Sequence, residues 1–125
     1  MSIKFLIVDD SVTMRRIVAN SLQNLGYKEY VEASDGKDAL LKLSEDDSIN
    51  FVITDWNMPN ISGLELTKAI RGDSSLSKIP ILMVTTRGVK EDILEALNAK
   101  VNNYVVKPFT PQILKEKIDQ IVSTL

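Results

Sequence analysis

Short, unbroken hydrophobic blocks alternate along the chain with longer stretches in which apolar residues recur every three or four positions. That alternation is the pattern of repeated β-α units. Five blocks have strand length, at 3–8, 30–33, 51–54, 81–85 and 104–106. Three of them contain wholly apolar runs, Phe5-Leu6-Ile7-Val8, Phe51-Val52-Ile53 and Ile81-Leu82-Met83-Val84, as expected of strands covered by helices on both faces of a parallel sheet. These three are predicted in the middle of the sheet. The blocks at Tyr30 and Tyr104 are shorter or more polar and are predicted at its edges.

Between the blocks, Met14, Ile17, Val18, Leu22 and Leu25 line one helical stripe, and Leu114, Ile118, Ile121, Val122 and Leu125 line another. Both stripes are expected to face the core. Gly26 is placed to stop the first helix, and Pro111 suits the first turn of the last one with Thr110 as its cap. Asp35-Gly36, Asn60 to Gly63 and Gly72-Asp73 mark turns. No internal repeat, low-complexity tract or linker breaks the series, so the 125 residues are expected to form one domain, 1–125.

With neither Cys nor His in the chain, disulfide frameworks, Cys/His zinc sites, thiol nucleophiles and imidazole bases are excluded. Chemistry is left to carboxylates, lysines, hydroxyls and a hard metal ion. Fifteen basic against seventeen acidic side chains give a net charge of −2, the wrong sign for a nucleic-acid or anionic-membrane surface. The apolar run that ends at Asp9 is too short for a signal peptide or a membrane span. A soluble, cytoplasmic protein is expected.

In an open parallel sheet, ligands bind beyond the carboxyl ends of the strands. Asp9 and Asp10 follow the first block, Asp55 the third, Thr85 and Thr86 close the fourth, and Lys107 follows the fifth. Neighbouring strands lie about 4.8 Å apart, so these side chains can share one small ion or anion. Any one of Asp9, Asp10 or Ser11 could serve only to cap the next helix. Two successive aspartates facing a third are another matter, because crowded carboxylates repel unless a cation intervenes. Mg²⁺ suits an all-oxygen donor set, and the calcium-binding EF-hand spacing is absent. Beside such an ion Asp55 could act as a nucleophile towards phosphorus, giving an aspartyl phosphate. Lys107 would then supply a compact positive charge, worth about 4 kcal/mol at ~4 Å and an effective dielectric near 20, before desolvation. Thr85 could donate its hydroxyl to the same anion.

The constellation Asp9-Asp10, Asp55, Thr85 and Lys107-Pro108 resembles the receiver domain of two-component response regulators, over essentially the whole chain. The strings Val-Asp-Asp-Ser-Val-Thr-Met-Arg-Arg, Thr-Asp-Trp-Asn-Met-Pro and Asn-Tyr-Val-Val-Lys-Pro-Phe-Thr are similar, more narrowly, to the stand-alone chemotaxis regulators of that family. The resemblance implies an α/β, flavodoxin-like, doubly wound (βα)5 fold with a five-stranded parallel sheet in the order 2-1-3-4-5. It further implies that Asp55 accepts a phosphoryl group from a histidine kinase. Mg²⁺ would be held by Asp10, Asp55, the backbone carbonyl of Asn57 and, partly through water, Asp9. Lys107 and Thr85 would hold the phosphoryl oxygens, and the Lys107-Pro108 bond would be cis. Thr85 and Tyr104 would form the switch, the tyrosine turning inward as the threonine moves towards the phosphate. Trp56 is expected as a partly exposed aromatic next to the acceptor.

The same resemblance implies a partner surface on the fourth helix, fifth strand and last helix, carrying Lys90, Lys100, Tyr104, Phe109 and Lys117. Its basic, aromatic character suits an acidic amphipathic peptide, as in a flagellar motor switch protein. The implied protein is a monomeric phosphoacceptor that hydrolyses its own aspartyl phosphate, with a phosphatase as a further partner, and is not a turnover enzyme. A receiver that passes phosphate between histidine proteins is the alternative. One position departs from the family pattern: Arg87 stands two residues after Thr85, where the chemotaxis regulators often have glutamate. There its charge is expected to attract the phosphodonor and its bulk to hinder the hydrolytic water. An FMN carrier would need a hydroxyl- and glycine-rich loop in place of Asp9-Asp10. An aspartate-nucleophile phosphatase would need the loop Asp-x-Asp-x-Thr and a cap, and this chain has neither.

Overall fold

The fold was described from a computed structural model covering residues 2–125. Five strands, β1 (Lys4–Val8), β2 (Glu29–Ala33), β3 (Phe51–Thr54), β4 (Ile81–Thr85) and β5 (Asn103–Val106), alternate with five helices. The helices are α1 (Val12–Asn24), α2 (Gly36–Glu45), α3 (Gly63–Gly72), α4 (Lys90–Asn98) and α5 (Pro111–Val122). All strand pairs are parallel, in the order β2-β1-β3-β4-β5. The three unbroken hydrophobic blocks are the three central strands, and the two weaker blocks are the edges, as the pattern predicted. Among the described residues, no helix is long and apolar enough to cross a membrane.

Side chains alternate across a strand, and here both sides are covered. Phe5 and Ile7 of β1 point into one core with Val18 and Leu22 of α1 and Leu114 and Ile118 of α5. Leu6 and Val8 point into the other, with Ala39 and Leu43 of α2, Leu66 and Ile70 of α3 and Ala96 of α4. Double coverage is the physical reason for the uninterrupted runs: every position in them is buried. Each fully buried leucine, such as Leu22 or Leu114, contributes about 2 kcal/mol of apolar burial.

The stripe expected on α1 is rotated in the structure. Its buried positions are Val18, Ala19, Ser21 and Leu22, which turns Ile17 outward to 44% exposure. The helical period allowed either placement, and a small alanine and a serine carry the contact that apolarity alone assigned to Ile17. Leu125 lies past the end of α5 and is likewise exposed. Helix ends follow their sequence signals. Ser11 caps α1 by accepting from Met14 N–H at 3.1 Å, and Thr110 caps α5, which has Pro in its first turn. Gly26 (φ 94°) closes α1 with a paired stop: its N–H reaches Gln23 O at 3.0 Å and Tyr27 N–H reaches Leu22 O at 2.9 Å.

Candidate functional site

Because every strand runs the same way, the loops after β1, β3, β4 and β5 emerge at one edge of the sheet. Register brings their polar residues together. Asp9 N–H donates to Ala33 O at 3.1 Å and Asp55 N–H to Val8 O at 2.9 Å, so both aspartates are fixed by ladder bonds one step beyond their strands. Asp9, Asp10 and Asp55 each offer a carboxylate oxygen within 4.8 Å of the others. Asp9 is only 5% exposed, and a polar group so buried needs hydrogen-bond partners. Its Oδ1 accepts from Ser11 N–H at 2.9 Å and its Oδ2 from Lys107 Nζ at 3.1 Å. On Asp55, Oδ1 accepts from Trp56 N–H at 2.7 Å, and Oδ2 lies 3.5 Å from Lys107 Nζ. Lys107 thus stands between two carboxylates, and its bond to Pro108 is cis.

The cleft is a set of hard oxygen donors with one charged, exposed member, Asp10. That composition fits Mg²⁺, which uses one or two carboxylates and keeps several waters on its open side. A single lysine against three carboxylates leaves negative charge for a cation to balance.

Thr85 ends β4 fully buried, and its hydroxyl accepts from Arg87 N–H at 3.4 Å. Tyr104, expected on the partner surface, is only 9% exposed, with its hydroxyl donating to Arg87 O at 2.6 Å. Burial, reinforced by the charge of Asp92, pushes its phenol up to about 12. The structure therefore withdraws Tyr104 from the exposed face, where Lys90 and Lys100 remain, with Phe109 and Lys117 half-buried. Val89, Val106 and Ile113 of the same segments are also exposed, so α4, β5 and α5 present more apolar side chains than the lysine pattern suggested. Val106 was hidden in the sequence because a hydrophobic residue in a strand reads as core, whereas an edge strand leaves one face open.

Trp56, expected to be partly exposed, is 5% exposed and packed into the same core as Leu66 and Met83. Arg87 covers it, with its guanidinium carbon 4.5 Å from the ring centroid. The same guanidinium donates to Asn57 Oδ1 from Nε at 3.0 Å and Nη2 at 2.9 Å, and Nη1 lies 3.7 Å from Asp92. Arg87 thus links Asn57 to α4, holding the side chain of the residue whose carbonyl was assigned to the metal. Sequence reading also passed over Arg15, whose Nη1 donates to Asp9 O at 2.6 Å while Nε pairs with Glu32 at 3.0 Å. It further passed over Gly63, where an added Cβ would lie 1.9 Å from Asp55 O. The turn signal at Asn60 to Gly63 was visible, but nothing in it said how closely helix α3 approaches the strand end.

The response regulator receiver domain family matches residues 5–119. The chain is 52% identical to the chemotaxis protein CheY1 of Helicobacter pylori over 121 residues, 97% of this chain and 98% of that one. It is 50% identical to the chemotaxis protein CheY homologue of Campylobacter jejuni, covering 97% and 93% of the two chains. Among solved structures, the chemotaxis response regulator CheY4 of Vibrio cholerae superposes with a TM-score of 0.88 at 36% identity, over 97% of this chain and 99% of that one.

Proposed function

Because the chain belongs to the response regulator receiver domain family, and is CheY-like within it, we propose that it takes a phosphoryl group onto Asp55 from a kinase phosphohistidine. So modified, it binds a flagellar motor switch protein. The observation that carries this reading is Lys107 Nζ at 3.1 Å from Asp9 and 3.5 Å from Asp55, inside a cluster of three carboxylates. In the transfer, Asp55 Oδ2 forms the new O–P bond, the N–P bond of the donor breaks and the imidazole leaves. Lys107 holds an incoming phosphoryl oxygen, and the buried Thr85 hydroxyl turns to a second. Asp10, Asp55, the Asn57 carbonyl and, partly through water, Asp9 would hold Mg²⁺, which when bound would neutralise charge on the phosphoryl group. Positioning and electrostatics account for most of such a step.

Water later cleaves the acyl phosphate and regenerates the Asp55 carboxylate, so the protein is a phosphoacceptor and not a turnover enzyme. Phosphorylation draws Thr85 towards Asp55, releases its contact with Arg87 N–H, and so moves the β4–α4 loop that Tyr104 grips from below. The exposed face of α4, β5 and α5, with Lys90, Lys100, Lys117 and the neighbouring apolar side chains, receives an acidic amphipathic peptide. Acting between kinase and motor, the protein works as a monomer in the cytoplasm, its signal ended by its own hydrolysis or by a phosphatase.

The test is the affinity of the N-terminal peptide of a motor switch protein for the chain with and without beryllofluoride. Binding about tenfold tighter in the activated form is expected. Equal affinities would reject motor binding and favour passage of phosphate to another histidine protein. Arg87→Glu should shorten the aspartyl phosphate lifetime roughly fivefold, the equivalent of about 1 kcal/mol, because it removes the bulky guanidinium held beside the acceptor on Asn57 and Trp56. Decay followed by loss of radiolabelled phosphate checks this, and identical lifetimes would remove Arg87 from the account.

A further inference from the structure

The edge strand β2 places no side chain in the acidic cleft, yet the turn that follows it reaches the loop on which the cleft depends. Asp35, at that turn, uses both carboxylate oxygens. Oδ1 accepts from Asp38 N–H at 2.7 Å and caps α2, while Oδ2 accepts from Asn60 Nδ2 at 2.7 Å. These donors, the Asp38 N–H first and the Asn60 amide next, hold its carboxyl below the usual carboxylate range. Asn60 lies in the β3–α3 loop with φ 68°, a left-handed conformation that asparagine tolerates better than most side chains.

Beside this bond the two loops are in van der Waals contact. A Cβ on Gly36 would lie 2.6 Å from Ile61 O and 2.8 Å from Ile61 Cβ, so only glycine lets α2 start against this loop. Ile61 N–H in turn closes onto Pro59 O at 2.9 Å. At the loop's other end, Gly63 N–H donates to Trp56 O at 2.8 Å. Residues 57–62 are therefore clamped from two directions, by α3 and by the turn after β2.

We propose that Asp35 and Asn60 are a positioning pair: their hydrogen bond fixes the 57–61 loop and so sets the aim of the Asn57 carbonyl at the divalent ion. This rests on the reading of the cleft as a Mg²⁺ site. A backbone carbonyl has no rotamer with which to correct its direction, so its fit to a small ion depends on loop geometry. Mg²⁺ tolerates little departure from octahedral geometry, and outer partners that orient ligands are commonly worth a factor of ten or more in metal affinity.

Two substitutions separate this from simpler effects. Asn60→Gly keeps the left-handed backbone and the net charge but removes the tether. Asp35→Ser keeps a cap for α2 and removes the reach to Asn60. Calorimetric titration with Mg²⁺ alone should show each variant binding about tenfold more weakly than the unaltered chain. The double variant should bind no more weakly than Asn60→Gly, because both changes break one bond. Amide exchange at Ile61 without metal should accelerate in both single variants, whereas unfolding midpoints should shift little. Unchanged Mg²⁺ affinity in Asn60→Gly, or strictly additive losses in the double variant, would overturn the pair while leaving the cleft reading intact. If the unaltered chain itself binds no Mg²⁺, or Asp10→Asn binds as tightly as it does, the cleft reading fails and the proposal falls with it.

Discussion

Incubated with acetyl phosphate and Mg²⁺, the chain should gain one phosphoryl group, on Asp55, and Asp55→Asn should gain none within a measurement range of about a thousandfold. The two oxygens of Asp55 are already differentiated. Oδ1 is tied to Trp56 N–H at 2.7 Å, and Oδ2 faces Lys107 at 3.5 Å. In the expected transfer Oδ2 would attack phosphorus, the bond to the acetate oxygen would break, and acetate would leave. Asparagine has the same shape and keeps an oxygen for the Trp56 bond but lacks the anionic nucleophile, so the fold survives and the chemistry does not. Asp9 is the poorer acceptor, because it is the more deeply buried of the two and lies closer to Lys107, at 3.1 Å. Intact-mass measurement followed by peptide mapping checks the result. A phosphoryl group on Asp9 or Asp10, or undiminished uptake by Asp55→Asn, would overturn the assignment.

The largest stability effect expected from a single methyl group is at Gly63. A Cβ there would sit 1.9 Å from Asp55 O, 2.8 Å from Asp55 C and 2.9 Å from Trp56 Cα, all backbone atoms of the strand end. None can rotate aside as a flexible side chain would, so either α3 backs away or the Asp55–Trp56 segment moves. Gly63→Ala should therefore lose on the order of 3 kcal/mol or more, with phosphoryl uptake falling alongside because the displaced backbone carries the acceptor. Gly72→Ala supplies the contrast. Nothing lies within 4 Å of its added Cβ, and in the last turn of α3 alanine should stabilise by about 0.5 kcal/mol. Urea midpoints measure both. Equal midpoints for Gly63→Ala and the unaltered chain would contradict the close approach.

What the sequence disclosed and what it withheld divide along physical lines. The apolar blocks at 5–8, 51–53 and 81–84 exposed the sheet and its centre, because burial on two faces leaves an unmistakable run. Polar residues at strand ends were visible too: Asp9, Asp10, Asp55, Thr85 and Lys107 fall at the carboxyl ends of four blocks, and parallel geometry brings corresponding positions together. Directions within loops were not legible. Asn60 reads as a turn residue whether or not its amide meets Asp35, and Arg87 reads as a surface charge until the loop folds it over Trp56 and onto Asn57. Tyr104 looks like an edge-strand side chain until the depth of the neighbouring helix is known. The exposed Ile17 shows the converse, because a hydrophobic letter at a permitted helical position says nothing of which neighbour takes the contact.

One contact separates two tasks that share a residue. Tyr104 binds the main-chain oxygen of position 87, not its side chain, so every amino acid except one that distorts the backbone preserves that grip. Under the proposed function, glutamate in place of arginine at 87 would adjust how long a stimulus is remembered, while the contact through which the loop is gripped would stay in place. Memory and transmission would then be open to selection independently, although both pass through a single amino acid.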